Sequence, residues 1–252
     1  MTKLRIVSWN CDRKFRKKYA AIVKEYDPDI LVIPECENPA QNFDTAPKTA
    51  AEYKPYKEFA ANCQWIPGLI ESKGLGIFAK PGITLEPLNW DNGGRKYFLP
   101  VRVNDTFNLI AVWPDKPYVY EILPYLELNA ENINNQTILA GDFNASVDLD
   151  RRNKRKKEPC RNMIALLKEK GLESAYHLKT GEEPGEETTP TFFLHRYEEL
   201  PDFFDYCFLN PDWLVDIKIG SKEKWGFPVK VNEVSSDHLP LIVDIEIGEK
   251  GA

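Results

Sequence analysis

The amino-acid sequence predicts an α/β fold in which helices cover a buried sheet. An apolar run, LRIVSWN, is followed by a segment with helical spacing and then by a second apolar run, DILVIPE. This order of strand, helix and strand is typical of a sheet that is covered by helices. Further along, YFLPVRVNDTFNLIAVW reads as two strands joined at Asn104 and Asp105, which suit a tight turn. Antiparallel pairing is therefore expected as well.

Two amphipathic helices are predicted from the spacing of apolar side chains. In residues 13–29 one face is apolar, the lysines and arginines fall mainly opposite, and Pro28 is expected to end the helix. The apolar face consists of Phe15, Tyr19, Ile22, Val23 and Tyr26. Residues 160–171 form the second helix, which Gly171 is placed to end. A third helical stretch, residues 118–133, contains Pro124, so it is either kinked at the proline or begins near it.

The remaining segments are shorter. Strands are predicted at KGLGIFAK, at TILAGDFN and in several short runs after residue 190, and the segment KTGEEPGEETTP is predicted to be a surface loop. The chain of 252 residues shows no internal repeat, linker or break in composition, so residues 1–252 are expected to form one domain.

Composition excludes several classes of protein. No apolar run approaches the roughly 20 residues needed to cross a bilayer. The N-terminus lacks the apolar stretch and cleavage site of a secretory signal, which favours a cytoplasmic location. Five scattered cysteines, never spaced CxxC, argue against a disulfide framework and a zinc knuckle. A formal net charge of -6 excludes a generally basic nucleic-acid coat but leaves room for a local basic patch.

Polar residues stand where several apolar runs end. Buried carboxylates cost several kcal/mol unless they are paired, protonated or bound to a metal, so their presence there needs a reason. Each has a structural interpretation when taken alone: an asparagine can accept backbone bonds at a turn, GDFN can be a simple turn, and a lone histidine is usually structural. Glu37 also competes with Glu35 for any function. The set as a whole favours function; it comprises Asn10, Glu35, Asp142, Asn144, Asp205, Asp237 and His238.

Oxygen ligands without cysteine suit a hard cation, Mg²⁺ or Mn²⁺. Such an ion polarises a phosphoryl oxygen while an Asp or His deprotonates water and asparagine amides hold the phosphate, so phosphoester hydrolysis is the predicted reaction. A serine hydrolase and a P-loop enzyme fit poorly, because neither GxSxG nor a glycine-rich phosphate loop is present.

In chain order, the motifs SWNCD, PECE, AVWP, GDFNAS, FFDYCF and SSDHLPL resemble those of the endonuclease/exonuclease/phosphatase superfamily. The resemblance runs from Leu4 to about Ile245, and the ordered combination is specific where each short motif is not. It implies an α/β four-layer sandwich, in which two face-to-face mixed β-sheets are flanked by α-helices and the active site lies at one end.

The resemblance also implies roles for individual residues. Glu35 matches the principal metal ligand, and Asn10 and Asp237 complete the candidate metal set. Asp142 and Asn144 match the pair that orients or deprotonates water and contacts the scissile phosphate. The last two assignments are Asp205, which matches the acid that orients the histidine, and His238, which matches either a general base or a group that stabilises the phosphorane charge.

Two departures from the family pattern limit what the resemblance implies. Many members carry a histidine after the strand equivalent to LIAV, but this chain has Trp113, whose indole donates one hydrogen bond and cannot shuttle protons. A mechanism with two histidines is therefore in doubt. The glycine-leucine-arginine run of abasic endonucleases is replaced by NCDRKF, which ranks an abasic-site repair role low.

Substrate evidence comes from the run RRNKRKK, residues 151–157, which places six cations in seven residues. It is either a site for a polyanion such as nucleic acid or a solvated loop. Candidate substrate-binding residues, besides Asn144, are Arg151, Arg152, Lys154 and Arg155. The preferred hypothesis is a Mg²⁺-dependent nuclease acting on DNA or RNA. The alternatives are a phosphatase or phosphodiesterase for a small or lipid-derived phosphoester, and a binding module that has lost catalysis. The sequence does not decide whether cleavage is internal or terminal, nor which oligomeric state the protein has.

Overall fold

The structure is a computed structural model that describes residues 1–41, 47–70, 72–154, 157–226 and 234–248. The strands are Thr2–Ser8 (β1), Ile30–Cys36 (β2), Cys63–Pro67 (β3), Gly74–Ala79 (β4), Leu85–Pro87 (β5), Phe98–Val103 (β6), Phe107–Val112 (β7), Thr137–Asp142 (β8), Glu173–Ser174 (β9), Phe192–Phe193 (β10), Pro201–Asp202 (β11), Asp205–Leu209 (β12), Leu214–Ile219 (β13) and Leu241–Ile247 (β14). The α-helices are Phe15–Tyr26 (α1), Pro47–Phe59 (α2), Val119–Leu128 (α3), Val147–Arg152 (α4), Pro159–Glu169 (α5), Ala175–Thr180 (α6) and Lys222–Trp225 (α7).

Two mixed sheets of six strands each form the centre of the molecule. The first has the strand order β13-β14-β1-β2-β4-β3, and the second has the order β5-β6-β7-β8-β12-β9. Each sheet contains one parallel pair, β1 with β2 and β7 with β8, and its other pairs are antiparallel. The predicted α/β sandwich of two mixed sheets flanked by helices is confirmed.

The alternation of side chains along each strand explains the layers. Ile6 and Val32 face the core cluster that also contains Leu109 from the other sheet. Val7, the neighbour of Ile6, points to the opposite face and packs in a second cluster with Ile22 of α1. Because these strands are buried on both faces, they read as continuous apolar runs, and each fully buried side chain of this kind contributes roughly 1.5–3 kcal/mol.

The helix predicted before Pro28 is α1, which buries Phe15 and Ile22 and ends at Tyr26. Asp27 adopts a left-handed conformation, and its backbone N–H donates to the carbonyl of Val23. One lysine departs from the predicted amphipathic pattern, since Lys18 is buried rather than solvent-facing. Lys18 is buried because its ammonium donates to backbone carbonyls of two loops, at Cys11 and at Ser235.

Other local predictions are resolved by the structure. Asn104 and Asp105 join β6 to β7 with φ values of 48° and 50°, which Asn and Asp tolerate better than most residues. Pro124 lies inside α3, which begins well before it, at Val119. The loop predicted for residues 179–190 begins at Gly181 in the structure, because Lys179 and Thr180 belong to the last turn of α6. Within the part of the chain that the structure describes, no helix combines the length and apolar character that crossing a membrane requires.

Candidate active site

The two sheets bring the predicted polar residues together at one end of the sandwich. Beyond β1 the chain continues its parallel pairing, with the N–H of Trp9 donating to Val32 O at 3.0 Å, and this places Asn10 at the sheet end. In the other sheet, the antiparallel register of β8 and β12 sets Asp142 directly opposite Asp205. Asn10 therefore meets Asp142 across the space between the sheets.

Asp142 is the centre of a buried hydrogen-bond network. Its Oδ2 accepts from Asn10 Nδ2 at 2.9 Å and from Asn144 Nδ2 at 2.8 Å, and its Oδ1 accepts from the backbone N–H of Asn144 at 2.8 Å. Burial is the largest influence and raises the pKa of Asp142 to about 7; the charge of Asp205 acts in the same direction, and His238 and Asn10 act against it. Asp142 is thus suited to exchange a proton near neutral pH.

His238 is oriented by Asp205. Its Nδ1–H donates to Asp205 Oδ2 at 2.9 Å, while Nε2 lies 3.7 Å from Asp142 Oδ2 and 3.5 Å from Asn10 Nδ2. Burial alone would lower the pKa of His238, but the charges of Asp205 and Asp142 and the hydrogen bond to Asp205 raise it to about 10. The imidazole is therefore positively charged at neutral pH in this arrangement.

The loops that carry Asn10 and His238 are fastened to each other. Ser236 Oγ donates to the carbonyl of Asn10 at 2.7 Å and accepts from the N–H of His238 at 3.2 Å. The buried ammonium of Lys18 donates to the carbonyls of Cys11 and Ser235, the latter at 3.0 Å. A helical pattern could not reveal Lys18, because one of its partners, Ser235, is 217 positions away. The signal for Ser236 in the sequence was its place in SSDH.

The GDFN segment is not a simple turn. Gly141 and Asp142 are the last residues of β8, and Gly141 has a φ of 149°. A Cβ at Gly141 would overlap the carbonyl oxygen of Val112 on the neighbouring strand. Asn144 follows with a φ of 48°, an uncommon conformation for a residue other than glycine. The strand therefore needs glycine just before its catalytic candidate.

Glu35, rather than Glu37, faces the site. A register shift between Pro34 and Cys36 interrupts β2, and Glu35 adopts a φ of 60° there. Glu35 is half-buried, lines a cavity of about 460 Å³ together with Trp113 and Asn144, and forms an ion pair with Lys73. Glu37 is buried at the first turn of α1.

The role of Glu37 is to cap α1. Its carboxylate accepts from the backbone N–H of Phe15 at 2.7 Å and from that of Arg16 at 3.0 Å. The guanidinium of Arg16 also donates to it, at 2.9 Å. An acid at the first turn of a helix satisfies backbone N–H groups that have no partner within the helix. Of the two glutamates, Glu35 therefore lines the cavity and Glu37 caps the helix.

Two sets of oxygen and nitrogen donors bear on metal binding. Among the described residues, one group of three has ligand atoms that all lie within 4.8 Å of one another, and it consists of Asp142, Asp205 and His238. Those three are buried, and His238 lies between the two carboxylates, whereas Glu35 opens onto the cavity and already has the cationic ammonium of Lys73 against it. A half-buried carboxylate that faces a cavity offers the oxygen ligand that a hard divalent ion prefers.

The other predicted metal residues are engaged as follows. Asn10 Oδ1 accepts from the N–H of Asp12 at 3.1 Å, and its amide is bonded to Asp142. Asp237 is half-buried, its Oδ1 lies 3.3 Å from Ser236 Oγ, and it is outside the group of Asp142, Asp205 and His238.

The basic run begins on the last turn of α4. Arg152 forms ion pairs with Asp148, at 2.8 Å, and with Asp202, and Arg151 donates to the carbonyl of Gly185 at 3.0 Å. Lys154 is exposed, and Arg155 lies outside the described residues. Part of the predicted positive charge is therefore already compensated.

Trp113 lines the same cavity as Glu35. Its ring packs against that of Tyr97 with a centroid distance of 4.8 Å, and its backbone N–H donates to the carbonyl of Tyr97 at 3.0 Å.

A family model described as Endonuclease/Exonuclease/phosphatase family matches residues 7–238 of the chain. The chain belongs to this family.

Solved structures of the Endonuclease/Exonuclease/phosphatase fold are similar over almost the whole chain. An AP endonuclease from Archaeoglobus fulgidus matches with a TM-score of 0.64 and 17% identity, over 97% of this chain and 100% of that chain. A humanized D. rerio TDP2 with 14 mutations matches with a TM-score of 0.63 and 15% identity, over 97% of this chain and 99% of that chain. At these identities the likeness is one of fold. No curated protein matches the sequence.

Proposed function

We propose that this member of the family hydrolyses phosphodiester bonds of nucleic acid in a Mg²⁺-dependent reaction, with Mn²⁺ as a substitute, and that residues 1–252 form one domain. The observation that carries the proposal is the network in which Asp142 accepts from Asn10 and Asn144 and lies 3.7 Å from His238. Packing of a core does not require four polar side chains to converge at a sheet end.

The chemistry follows from the protonation of the network. Asp142, with its raised pKa, accepts the proton of a water molecule as that water attacks phosphorus. His238, held as a cation by Asp205, stabilises the negative charge of the phosphorane, so of its two predicted roles we favour charge stabilisation over that of general base. Asn10 and Asn144 each have a second amide hydrogen available for a phosphate oxygen.

Glu35 is the residue we assign to the metal, with Asn10 as a second candidate ligand. Mg²⁺ bound there supplies Lewis-acid polarisation of a phosphoryl oxygen. Lys73, which now neutralises Glu35, is the group that such an ion would replace.

Two features bear on the class of substrate. Nucleic acid is supported by the basic run, of which Arg152 also lines a cavity of about 250 Å³ beside Asn144. The opposing observation is that this cavity is largely apolar, with walls that include Phe192, Leu200 and Phe204. It favours a small or lipid-derived phosphoester as the second candidate.

The free state of all five cysteines supports the cytoplasm as the location.

The decisive experiment is hydrolysis of a panel of single- and double-stranded DNA and RNA, bis-p-nitrophenyl phosphate and p-nitrophenyl phosphate, with Mg²⁺, Mn²⁺ or EDTA. The variant His238→Ala is expected to lose turnover by about 10²–10³-fold while the fold is retained. His195→Ala, at an exposed histidine, is the matched control and is expected to keep wild-type rates. Wild-type protein that cleaves none of these esters with either metal would refute the proposal.

A second experiment separates the two classes of substrate. Arg151→Gln combined with Lys154→Gln is expected to weaken nucleic-acid binding and to reduce the dependence of log Kd on log salt by about 0.7–0.9 for each phosphate group that the variant no longer neutralises. The matched control combines Lys3→Gln with Lys24→Gln, which removes the same charge from exposed lysines. An unchanged salt dependence together with rapid turnover of small esters would favour the second candidate.

A further inference from the structure

Cleavage of a phosphodiester with an alkoxide leaving group needs a proton donor, because an alkoxide leaves poorly unless it is protonated. Trp113 cannot serve, since an indole N–H forms a hydrogen bond but does not transfer its proton. The loop that follows it, between β7 and α3, ends at a phenol, Tyr118.

Tyr118 stands at the boundary between the two cavities of the site. The cavity of about 460 Å³ is lined by Glu35 and Trp113, and the cavity of about 250 Å³ is lined by Phe192 and other apolar residues. Of the residues that the structure describes, Tyr118 and Asn144 line both. When the bond that breaks lies at this boundary, the two sides of the phosphoester occupy different cavities. The leaving oxygen is then next to Tyr118.

The backbone of Tyr118 is held in one conformation. Its N–H donates to the carbonyl of Asp115 at 2.7 Å, and its own carbonyl accepts from Glu121 at 2.8 Å and from Ile122 at 3.2 Å. Its φ and ψ of 62° and -104° are rare for a residue other than glycine. Such strain is found preferentially at functional positions.

The phenol also retains its proton at neutral pH. Burial raises the pKa of Tyr118, and the negative charges of Asp142, Asp115 and Glu35 act in the same direction. Tyr118 lines one cavity with Glu35 and with Asn144, whose amide donates to Asp142 at 2.8 Å.

We infer that Tyr118 is a catalytic residue that donates a proton to the leaving oxygen. Water forms the new bond to phosphorus and loses a proton to Asp142, while the bond from phosphorus to the leaving oxygen breaks and that oxygen takes the phenolic proton. Tyr118 and Asp142 then exchange their protons with solvent. This inference rests on the proposed phosphodiesterase function.

The test compares Tyr118→Phe with wild type on dinucleotides whose bridging atoms are both oxygen, or have sulfur at the 3′ or the 5′ position. A thiolate leaves without protonation, so the variant is expected to lose about 10²–10⁴-fold on the oxygen ester and less than about 3-fold on one of the sulfur esters. Tyr97→Phe removes a phenol from the same cavity and is expected to lose little on either. The ratio of rates within one variant is independent of the fraction of protein that is folded.

Each outcome is decisive. An equal loss on oxygen and sulfur esters would assign Tyr118 to positioning only, and no loss on the oxygen ester would remove it from the mechanism. Wild-type protein that cleaves no dinucleotide and no aryl ester would overturn the proposed function itself, which is a different result from an active wild type with an unaffected Tyr118→Phe.

Discussion

Replacing Asp205 by asparagine tests the electrostatics of the proposed site. Asp205 is fully buried, and its Oδ2 lies 2.9 Å from His238 Nδ1. Asparagine keeps an oxygen for that hydrogen bond and removes the negative charge. The amide nitrogen takes the place of Oδ1, a buried atom without a hydrogen-bond partner in the ranges that the structure describes, so the substitution breaks no other bond.

The loss of unfolding free energy caused by Asp205→Asn is expected to become smaller as pH rises. The raised pKa of His238, about 10, means that its charge stabilises the fold fully below the unfolded pKa of about 6.5 and that this stabilisation is lost as pH rises through about 10. Leaving a buried charge without its partner costs roughly 3–5 kcal/mol, and deprotonation of His238 in the variant relieves part of that cost. We therefore expect Asp205→Asn to lower the free energy of unfolding by about 3 kcal/mol at about pH 8, and by less than about 1 kcal/mol at about pH 10.5.

The assay is urea unfolding of the metal-free protein at several values between about pH 8 and about pH 10.5, a window that lies above the pKa of Asp142. NMR titration of the His238 ring provides the pKa directly and is expected to show a lower value in the variant. Metal affinity is expected to change little. A loss of stability that is the same at every pH, or an unchanged His238 pKa, would refute the reasoning; a large loss of metal affinity would make Asp205 a ligand.

Three further substitutions test other parts of the site. Glu35→Ala is expected to reduce Mg²⁺ affinity, measured by calorimetry, and turnover together; loss of one without the other would separate this residue from the metal. Gly141→Ala is expected to destabilise the protein by roughly 3 kcal/mol in thermal unfolding, because its Cβ overlaps the carbonyl of Val112; a change below about 1 kcal/mol would show that β8 adapts. Lys18→Met leaves the carbonyls of Cys11 and Ser235 without their charged donor and is expected to cost roughly 2–4 kcal/mol in urea unfolding; wild-type stability would mean that these loops do not need Lys18.

The residues at strand ends were predictable because each is marked by a local pattern. A carboxylate or an amide at the end of an apolar run is conspicuous, as for Asn10 and Asp142, and so is Asp205, a carboxylate among aromatic residues. Their convergence required the resemblance of ordered motifs, since 132 positions separate Asn10 from Asp142 and no local pattern spans that distance.

What could not be predicted depends on contacts made after folding. The choice between Glu35 and Glu37 depends on a register shift in β2, which sends one to the cavity and the other to α1. Burial of Lys18 depends on Ser235, 217 positions away. The ion pairing of Arg152 with Asp202, 50 positions away, was hidden within a run of like charges for the same reason.

The hydrogen bond between Asn10 and Asp142 joins residues that are carried by different sheets. Its length is therefore determined by the thickness of the apolar layer that separates them. A substitution deep in that layer changes the volume between the sheets and, with it, the alignment of the amide and the carboxylate, although it touches neither. Turnover is thus expected to respond to core packing at positions with no contact to substrate, and directed repacking of the core offers a route to tune the activity while the polar residues stay the same.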